Sequence, residues 1–450
     1  MRALRRYART FTGFERDARI FLVTTLVSGV AISLWWVNFN LYLVALGLDP
    51  AFIGIAAAAS AAAGVVFAFP ASILADRIGR RLVLAMGTGG SALGILGLLL
   101  TTDPVAILVC ATVVGAANQA FFVVQSPFLM ERSRPDHRNE LFSLQFAISN
   151  VTSVGAALLG GVIAAVLGAA GTGANDPSPY RVLLAVMAAA AALAMLTVLA
   201  LRDDRPRRRR NGQALEQRTR EGSAGEPIAA RPDPRPAVAR RPTRLGIPRP
   251  SDPRTFWRLL VPGFLIALGA GQVIPFLNIF VERRFGLDLA ALNVVFAITS
   301  LGTFFAVMLQ PALARRVGKV GSVAMVQAAS IPFLLVLGFS PVLWTVVVAM
   351  TVRNSLMNAG NPIANAFAME QLRASERATF SATASLLWSL GWVIAGLWYS
   401  VLQGWLGFDA GYTVNFVTII ILYSVGTWLY WHWFRDAEAR PPASPAHVAA

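Results

Sequence analysis

The chain carries the same polar residues twice, at nearly constant spacing, within an otherwise apolar sequence. Leu-Ala-Asp-Arg-Ile-Gly-Arg at 74–80 recurs as Leu-Ala-Arg-Arg-Val-Gly-Lys at 313–319. Chance similarity between alanine-rich helices would not keep one offset through polar positions 98 residues apart. Such a repeat in an apolar chain predicts two similar membrane bundles around a central site. The repeated positions lie 238 or 239 residues apart and pair as Asn40 with Asn278, Asp76 with Arg315, Glu131 with Glu370, and Arg138 with Arg377.

The composition indicates a membrane protein. Hydrophobic residues make up 56% of the 450 residues and charged residues only 14%, whereas soluble domains have about 25% charged residues. Apolar stretches such as Ile20 to Leu46 exceed the ~20 residues that cross a bilayer. We therefore expect an all-α protein with twelve transmembrane helices in two pseudo-symmetric six-helix bundles. The predicted spans are 18–46, 51–75, 82–101, 104–130, 140–169, 180–201, 256–282, 289–313, 320–339, 341–369, 378–405 and 411–434.

A basic segment separates the two predicted bundles. Between Arg202 and Arg254 there are fifteen arginines against seven acidic residues. This segment has too little apolar surface to fold, so we expect it to be disordered, serving as a tether or as a docking or lipid-binding arm. The predicted domains are an N-terminal bundle at 1–201, the linker at 202–254, a C-terminal bundle at 255–435 and a tail at 436–450.

The arginine distribution predicts the orientation in the membrane. The short loops at 76–81, 131–138, 314–319 and 370–377 each carry two or more arginines and should be cytoplasmic. The loops at 47–50, 102–103, 170–179, 340 and 406–410 carry no basic residue, so both termini should be cytoplasmic. The high arginine and alanine contents suggest a GC-rich bacterial genome, and hence a bacterial cytoplasmic membrane. Attraction to anionic lipid explains the basic charge without a nucleic-acid partner.

The loop after the second predicted span combines a carboxylate, a glycine turn and several arginines. Residues 75–81 are Ala-Asp-Arg-Ile-Gly-Arg-Arg, and the glycine permits a tight bend. The stretch resembles the Gly-x-x-x-Asp-Arg-x-Gly-Arg-Arg signature of the major facilitator superfamily of transporters, with Ser72 in place of the first glycine. Together with the spans and the two halves, the resemblance covers nearly the whole chain outside 203–254. It implies the fold of that superfamily, and we expect a monomer.

The resemblance also implies a cytoplasmic gate. Asp76 would contact the N-terminal end of span eleven when the cytoplasmic side is shut, and the arginines would hold acids such as Glu131. In the second half Arg315 replaces the symmetric aspartate, and a cation facing a helix N-terminus is unfavourable. Glu140 could supply the missing charge in a charge-swapped gate. For the loop at 75–81 the alternative is topogenic charge alone, which explains the arginines but not the aspartate or the glycine. The predicted gate residues are Asp76, Arg77, Gly79, Arg80, Arg81, Glu131, Arg138, Glu140, Arg315, Arg316, Glu370 and Arg377.

Two other family signatures are absent, and one arginine is unexpected. Span four has no charged residue, and Ala156 and Ala157 replace the Gly-Pro of the antiporter motif, so a coupling proton remains an open alternative. Arg353 lies about twelve residues into span ten, ~18 Å deep, and such an arginine costs on the order of 3 kcal/mol without a cavity or partner. It is either an anion or proton-coupling site, or a structural arginine bonded to backbone carbonyls and to Asn354 or Asn358.

Amides and aromatic residues supply the remaining candidates for a binding site. Asn40 and Asn278 occupy symmetric places in spans one and seven, which the resemblance implies line the central cavity. Amides can fix a ligand while aromatic faces supply contact area, although tryptophans also form interfacial belts or pack within bundles. The candidate substrate-binding residues are Asn38, Asn40, Trp36, Gln272, Asn278, Arg353, Asn354, Trp388 and Trp392.

Enzymatic motifs are missing from the sequence. It has no Walker loop, dinucleotide fingerprint, nucleophile elbow or metal-ligand spacing, so we expect no enzyme, cofactor or metal site. The sequence predicts a secondary transporter that moves a small organic solute by alternating access, with efflux of amphipathic compounds favoured. The alternatives are import of a sugar or organic anion, and a transport-inactive membrane sensor or scaffold.

Overall fold

The computed structural model describes residues 14–132, 138–169, 177–202, 250–373 and 376–436, which are nearly all helical. Nine segments of this part of the chain are long and apolar enough to cross a membrane. The number of crossings stays a prediction. The helices are α1 Arg16–Ala45, α2 Pro50–Ile78, α3 Arg80–Leu100, α4 Pro104–Glu131, α5 Arg138–Ala169, α6 Ser178–Leu199, α7 Pro253–Val273, α8 Leu277–Phe285, α9 Leu289–Val317, α10 Lys319–Phe339, α11 Leu343–Gln371 and α12 Arg377–Phe434.

Local capping explains why several helices begin where the sequence predicts. The side chains of Asp49, Asp103 and Asp288 accept hydrogen bonds of 2.7–2.9 Å from backbone N–H groups two or three residues further on. Each aspartate thereby satisfies a donor that the first turn leaves unpaired. We call the end of the molecule where α1 finishes and α2 begins the outer end. The opposite end, where α2 finishes and α3 begins, is the inner end.

The long helix α12 is folded back on itself. Gly407 interrupts it with φ 71° and ψ −169°, a conformation open to glycine. The hydroxyl groups of Tyr399 and Tyr412 are 3.0 Å apart, whereas a straight helix would separate these residues by ~20 Å. The chain therefore reverses at Gly407 into two segments, α12a (377–406) and α12b (408–434), close to the two spans predicted there.

The predicted seventh span is interrupted rather than continuous. A 3-10 turn, Ile274–Phe276, separates α7 from α8. Pro275 lies in this turn, and proline has no N–H to donate to the helical ladder. The turn lies near the outer end, where the two halves of the molecule meet. Its backbone carbonyls are consequently placed against the first half.

The two halves touch through the same contact made twice. Gly54 of α2 packs closely against Ser400 of α12a, and Gly161 of α5 packs against Asn293 of α9. Gly54 and Asn293 are repeat positions, and so are Gly161 and Ser400, each pair 239 residues apart. Glycine allows the close approach of helices that packing in a membrane requires. These contacts all lie near the outer end.

The hydrophobic core is shared by the halves at the outer end and divided at the inner end. One buried cluster joins residues of both halves, including Leu34, Phe276 and Tyr399. At the inner end a second cluster, around Phe21 and its neighbours, belongs to the first half only. A third, around Phe367, belongs to the second half only. Among the described side chains, the halves thus share one core at the outer end and have separate cores at the inner end.

Candidate functional site

A central cavity of about 310 Å³ lies between the two halves, inward of their outer contacts. Helices α1, α2 and α4 line it from the first half, and α7, the 3-10 turn and α12a line it from the second. All of its lining residues are uncharged. Three amides, Asn40, Asn118 and Gln119, supply polar groups. The aromatic lining residues are Trp35, Trp36, Phe39, Phe122, Phe276, Trp388 and Trp392.

Tryptophan rings meet across this cavity. Trp36 of the first half lies edge-on to Trp392 of the second, with ring centroids 5.6 Å apart and planes at 84°. Trp388 is tilted against Trp392 at 6.4 Å. The Trp36 side chain remains 52% exposed, so part of its surface faces open space. Such an arrangement offers ring faces and edges to a planar solute.

Two asparagines close the outer end by a reciprocal pair of hydrogen bonds. Asn40 Nδ2 donates to the carbonyl oxygen of Pro275 at 2.6 Å. Asn278 Nδ2 donates to the carbonyl oxygen of Val37 at 2.7 Å. Val37 and Pro275 are themselves 238 residues apart, as are the two asparagines, so each bond is the repeat image of the other. We call this pair of bonds the asparagine clasp.

Two other predicted amides, Asn38 and Gln272, are buried in the helices that carry the clasp or lead into it. Asn38 donates to the carbonyl of Leu34 at 3.0 Å and accepts from Asn293 Nδ2 at 3.1 Å, a contact between the halves. Gln272 is buried, and its Oε1 has no hydrogen-bond partner among the described residues. Of the predicted binding residues, the structure brings Trp36, Asn40, Trp388 and Trp392 to the central cavity.

Sequence reasoning missed the contribution of α4 to the central cavity. Asn118 and Gln119 line the cavity, and Ser91 of α3 donates to Asn118 Oδ1 at 3.1 Å. Both amides lie inside a span without any charged residue. Consecutive amides within an apolar span were the available signal, because polar groups in a membrane helix face the bundle interior or a cavity.

Arg353 and Asn354 lie in another cavity, of about 470 Å³. All of its lining residues belong to the second half, so we call it the second-half cavity. Trp388 and Trp392 line both this cavity and the central one. Arg353 is 4% exposed and donates from Nη2 to the Tyr423 hydroxyl. The guanidinium therefore points into the second bundle.

Three predicted gate residues, Arg80, Glu131 and Glu370, take part in equivalent ion pairs at the inner end of the two halves, and Lys319, which was not predicted, is the fourth member. Arg80 Nη1 lies 2.7 Å from Glu131 Oε2, and Lys319 Nζ pairs with Glu370 Oε1. The two pairs occupy repeat positions 239 residues apart. Gly79 and Gly318, which precede the two cations, have φ of 98° and 81°. Each ion pair joins residues of a single half.

Other predicted gate residues bond to backbone carbonyls within their own half, are exposed, or lie outside the described side chains. Arg81 donates to the carbonyl of Leu199, and Arg377 Nε donates to that of Leu372 at 3.3 Å. Arg77 is exposed. The predicted pairing of Glu140 with Arg315 or Arg316 remains a prediction. The side chains outside the described part are those of Asp76, Arg138, Glu140, Arg315 and Arg316.

The sequence did not predict the ion pair between Arg132 and Asp17 at the inner end. Arg132 Nη1 lies 3.0 Å from Asp17 Oδ2, and the Asp17 side chain is only 4% exposed. The guanidinium carbon of Arg132 also lies 5.8 Å from the centre of the Phe128 ring. Gln371 stands at the repeat position of Arg132, so this pair has no counterpart in the second half.

A twofold-repeated helical fold with a cavity between its halves defines a multi-pass membrane transport protein. The chain belongs to the Major Facilitator Superfamily, whose family model matches residues 21–396. Its members transport small molecules, and the repeat, the loop signature and the all-helical fold agree with that membership. The predicted family and fold class are therefore confirmed. No curated protein sequence matches the chain significantly.

Solved structures share the fold at low sequence identity. A mutant of the nucleoside transporter NupG has a TM-score of 0.69 and 12% identity, covering 93% of this chain and 100% of its own. A bacterial homologue of the human lysosomal transporter Spinster, inward-facing and occupied, has a TM-score of 0.69 and 15% identity, covering 95% and 98%. A D-xylose–proton symporter has a TM-score of 0.68 and 11% identity, covering 92% and 97%.

Proposed function

We propose that the chain is a secondary transporter that moves an amphipathic, partly aromatic solute through the central cavity by alternating access. The main support for this proposal is the composition of that cavity, in which aromatic rings and neutral amides line a space between the two halves. Aromatic rings supply contact area, and the few amides can orient a ligand. A cavity of about 310 Å³ suits a small molecule.

The arrangement of the halves supports alternating access. The asparagine clasp and the shared core hold the outer ends together. Separate cores at the inner end leave each half free to move as a unit. Rocking of one bundle against the other around a fixed site is the motion expected of transporters built from two such repeats. We propose that the described state is closed at the outer end, which the arginine pattern predicts to be external.

We propose efflux as the direction of transport. Apolar, aromatic surface in the cavity favours solutes that partition into the membrane, and removing these from the cell is the work of an exporter. The similar folds include a nucleoside transporter and a D-xylose–proton symporter, so import of a polar metabolite is the second outcome to test. Because all residues lining the central cavity are uncharged, a coupling proton would have to be carried elsewhere.

The first experiment compares two tryptophan substitutions. Cells or proteoliposomes with the protein should transport aromatic amphipaths, and Trp36→Leu should weaken the apparent affinity. Loss of aromatic contacts worth about 0.5–1.5 kcal/mol predicts a rise in KM of roughly 2- to 13-fold. Trp405→Leu is the matched control, because Trp405 is 85% exposed and does not line the cavity. Accumulation inside cells would favour import, and no movement of any solute would support a sensor or scaffold.

A further inference from the structure

The second-half cavity is rich in hydrogen-bond donors and has no acidic lining residue among those described. Gln327 Oε1 accepts a hydrogen bond from the Thr427 hydroxyl at 3.3 Å, which leaves the amide N–H groups of Gln327 to face another acceptor. Tyr423 accepts from Arg353, so its own hydroxyl proton is available for donation. A cavity with such a lining is suited to a negatively charged or strongly accepting group.

Arg353 is incompletely satisfied at the buried end of this cavity. Its Nη1 lies 3.3 Å from Asn354 Oδ1, a long hydrogen bond, and its guanidinium carbon is 5.4 Å from the centre of the Tyr423 ring. Its Nε has no hydrogen-bond partner among the described residues. The side chain is more than nine-tenths buried. A buried guanidinium group with an unused donor calls for a further partner.

None of the ion pairs among the described residues includes Arg353, and Glu282, the one acidic residue of α8, lies near the outer end. No acidic residue occurs between Asp288 and Glu370, which covers α9, α10 and nearly all of α11. Helix α7 has none either, and the only acidic residue of α12 is Asp409, beside the reversal at Gly407. An arginine near the bilayer centre without a counter-charge is costly. A bound anion would supply what the chain lacks.

A row of amides leads from the inner end to Arg353. Asn354, Asn358, Asn361 and Asn365 follow one another at spacings of four, three and four residues, which places them on one face of α11. All four line the second-half cavity, and the last three are exposed. The row runs towards Glu370 at the inner end of α11. It forms a polar path along which a hydrophilic group can reach the buried arginine.

We propose that the second-half cavity binds the carboxylate of an aromatic organic anion, with Arg353 and Tyr423 as its anchors. The Arg353 Nε–H and the Tyr423 O–H supply two donors for one carboxylate. Trp388 and Trp392, which line both cavities, contact the aromatic part. This inference rests on the proposed function, because it assigns a negative charge to the amphipathic solute that the central cavity admits.

The test compares a carboxylate with its neutral isostere. Binding of phenylacetate and phenylacetamide to the purified full-length protein is measured by calorimetry in lipid-depleted detergent. We expect phenylacetate to bind roughly tenfold or more tightly than phenylacetamide, because hydrogen bonds to charged groups are the stronger ones. Arg353→Gln should abolish this preference while phenylacetamide binding persists. Tyr423→Phe, which keeps the ring and the guanidinium, should reduce the preference in part.

The other possible binding results would contradict either the anion site, the proposed function or the identity of the bound anion. Equal binding of both probes to the wild type, which requires no variant to fold, would overturn the anion site but leave the proposed function standing. Binding of neither probe would overturn both. Anionic phosphatidylglycerol is added as a competitor in a separate arm. If that lipid displaces phenylacetate and alone gives an Arg353-dependent rise in melting temperature, the site holds a lipid headgroup and the solute assignment is wrong.

Discussion

At the scale of single residues, the sequence repeat identifies two equivalent asparagines but does not identify their hydrogen-bond acceptors. Asn40 and Asn278 stand out in the sequence because they are repeated polar residues in apolar spans. Both donate to backbone carbonyls, Asn40 to that of Pro275 and Asn278 to that of Val37. A backbone carbonyl carries no sequence signature, so the clasp becomes visible only when the two helices are placed side by side. Both asparagines act across the boundary between the halves.

Removing the clasp should open the outer end. Each hydrogen bond contributes about 1 kcal/mol, so the double variant Asn40→Leu and Asn278→Leu should shift the ratio of outward-open to outward-closed molecules by about 30-fold. The measurement uses Ser60→Cys, a central-cavity position, with the single native Cys110 replaced by serine. An impermeant maleimide added outside should label this cysteine faster in the double variant.

The control for that experiment is another asparagine that bonds only within its own helix. Asn150 Nδ2 donates to the carbonyl of Phe146 at 2.8 Å. Asn150→Leu should leave the labelling rate unchanged. Equal labelling rates in the clasp variant and in the wild type would show that the two bonds do not hold the outer end closed.

Arg353 shows where inference from sequence stops. Its depth in span ten follows from counting residues, and the cost of an unpaired charge at that depth follows from the membrane. Its direction does not follow, because one residue more or less turns a side chain by about 100° around the helix. Packing of α11 against α9 and α10 sets the rotation of the helix, and the guanidinium then points at Tyr423 of α12b. The sequence therefore indicated an arginine that needs a partner, without identifying the cavity.

At the scale of helices, hydropathy and local capping account for most of the observed boundaries. The aspartates at the outer end define where α2, α4 and α9 begin. Pro275 could be seen in the sequence, but membrane helices often tolerate proline when a neighbour satisfies the freed backbone groups. Here the neighbour is Asn40, on the other half of the molecule. The interruption of the seventh span therefore depended on a tertiary contact that no local pattern contains.

The start of α7 should be sensitive to acid. The Glu376 carboxylate accepts a hydrogen bond from the backbone N–H of Ser251, and this bond lowers the pKa of Glu376 below its ordinary value of 4.5. A lowered pKa in the folded state means that the stabilisation is present above pH 4.5 and is lost as the pH falls through the lowered value. The Ser251–Glu376 hydrogen bond connects the segment between α11 and α12 with the residues that precede α7.

Glu376→Gln tests this contact. The amide oxygen can still accept from Ser251 but lacks the charge, so the melting temperature at pH 6 should fall by about 2 °C or less. The difference from the wild type should disappear as the pH is lowered below 4.5. Asp436→Asn, at an exposed position after α12, should show no such convergence. A constant difference down to pH 3 would contradict the assigned role of the carboxylate.

At the scale of the whole molecule, the repeat is preserved in contacts as well as in sequence. The asparagine clasp consists of two repeat-related hydrogen bonds. The Gly54–Ser400 contact is likewise matched by Gly161–Asn293, and the two inner ion pairs match each other. Outer contacts join the halves, whereas the inner ion pairs stay within each half. Under the proposed function, such a molecule would exchange one closed end for the other by a rigid rotation of its halves. The Glu140 hypothesis concerns the contacts of that second state.

The orientation of the molecule in the membrane is testable by reporter fusions. The arginine asymmetry of the short loops predicts that the linker is cytoplasmic and that the loop at 102–103 is external. Alkaline phosphatase, which is active only outside the cytoplasm, should be inactive when fused after Gly225 and active when fused after Asp103. The reverse pattern of activity would invert the assignment of the outer and inner ends.

The uncharged lining of the central cavity has a consequence for energetics. The membrane potential does work only on charge, about 2.3 kcal/mol per elementary charge for every 100 mV. A neutral solute in a neutral cavity crosses without such work, so its transport through that cavity should be electrically silent. A carboxylate held at Arg353 would instead move one net negative charge per cycle, because the arginine stays with the protein. Clamping the voltage should therefore leave the transport of a neutral aromatic solute unchanged and alter the transport of its carboxylate analogue.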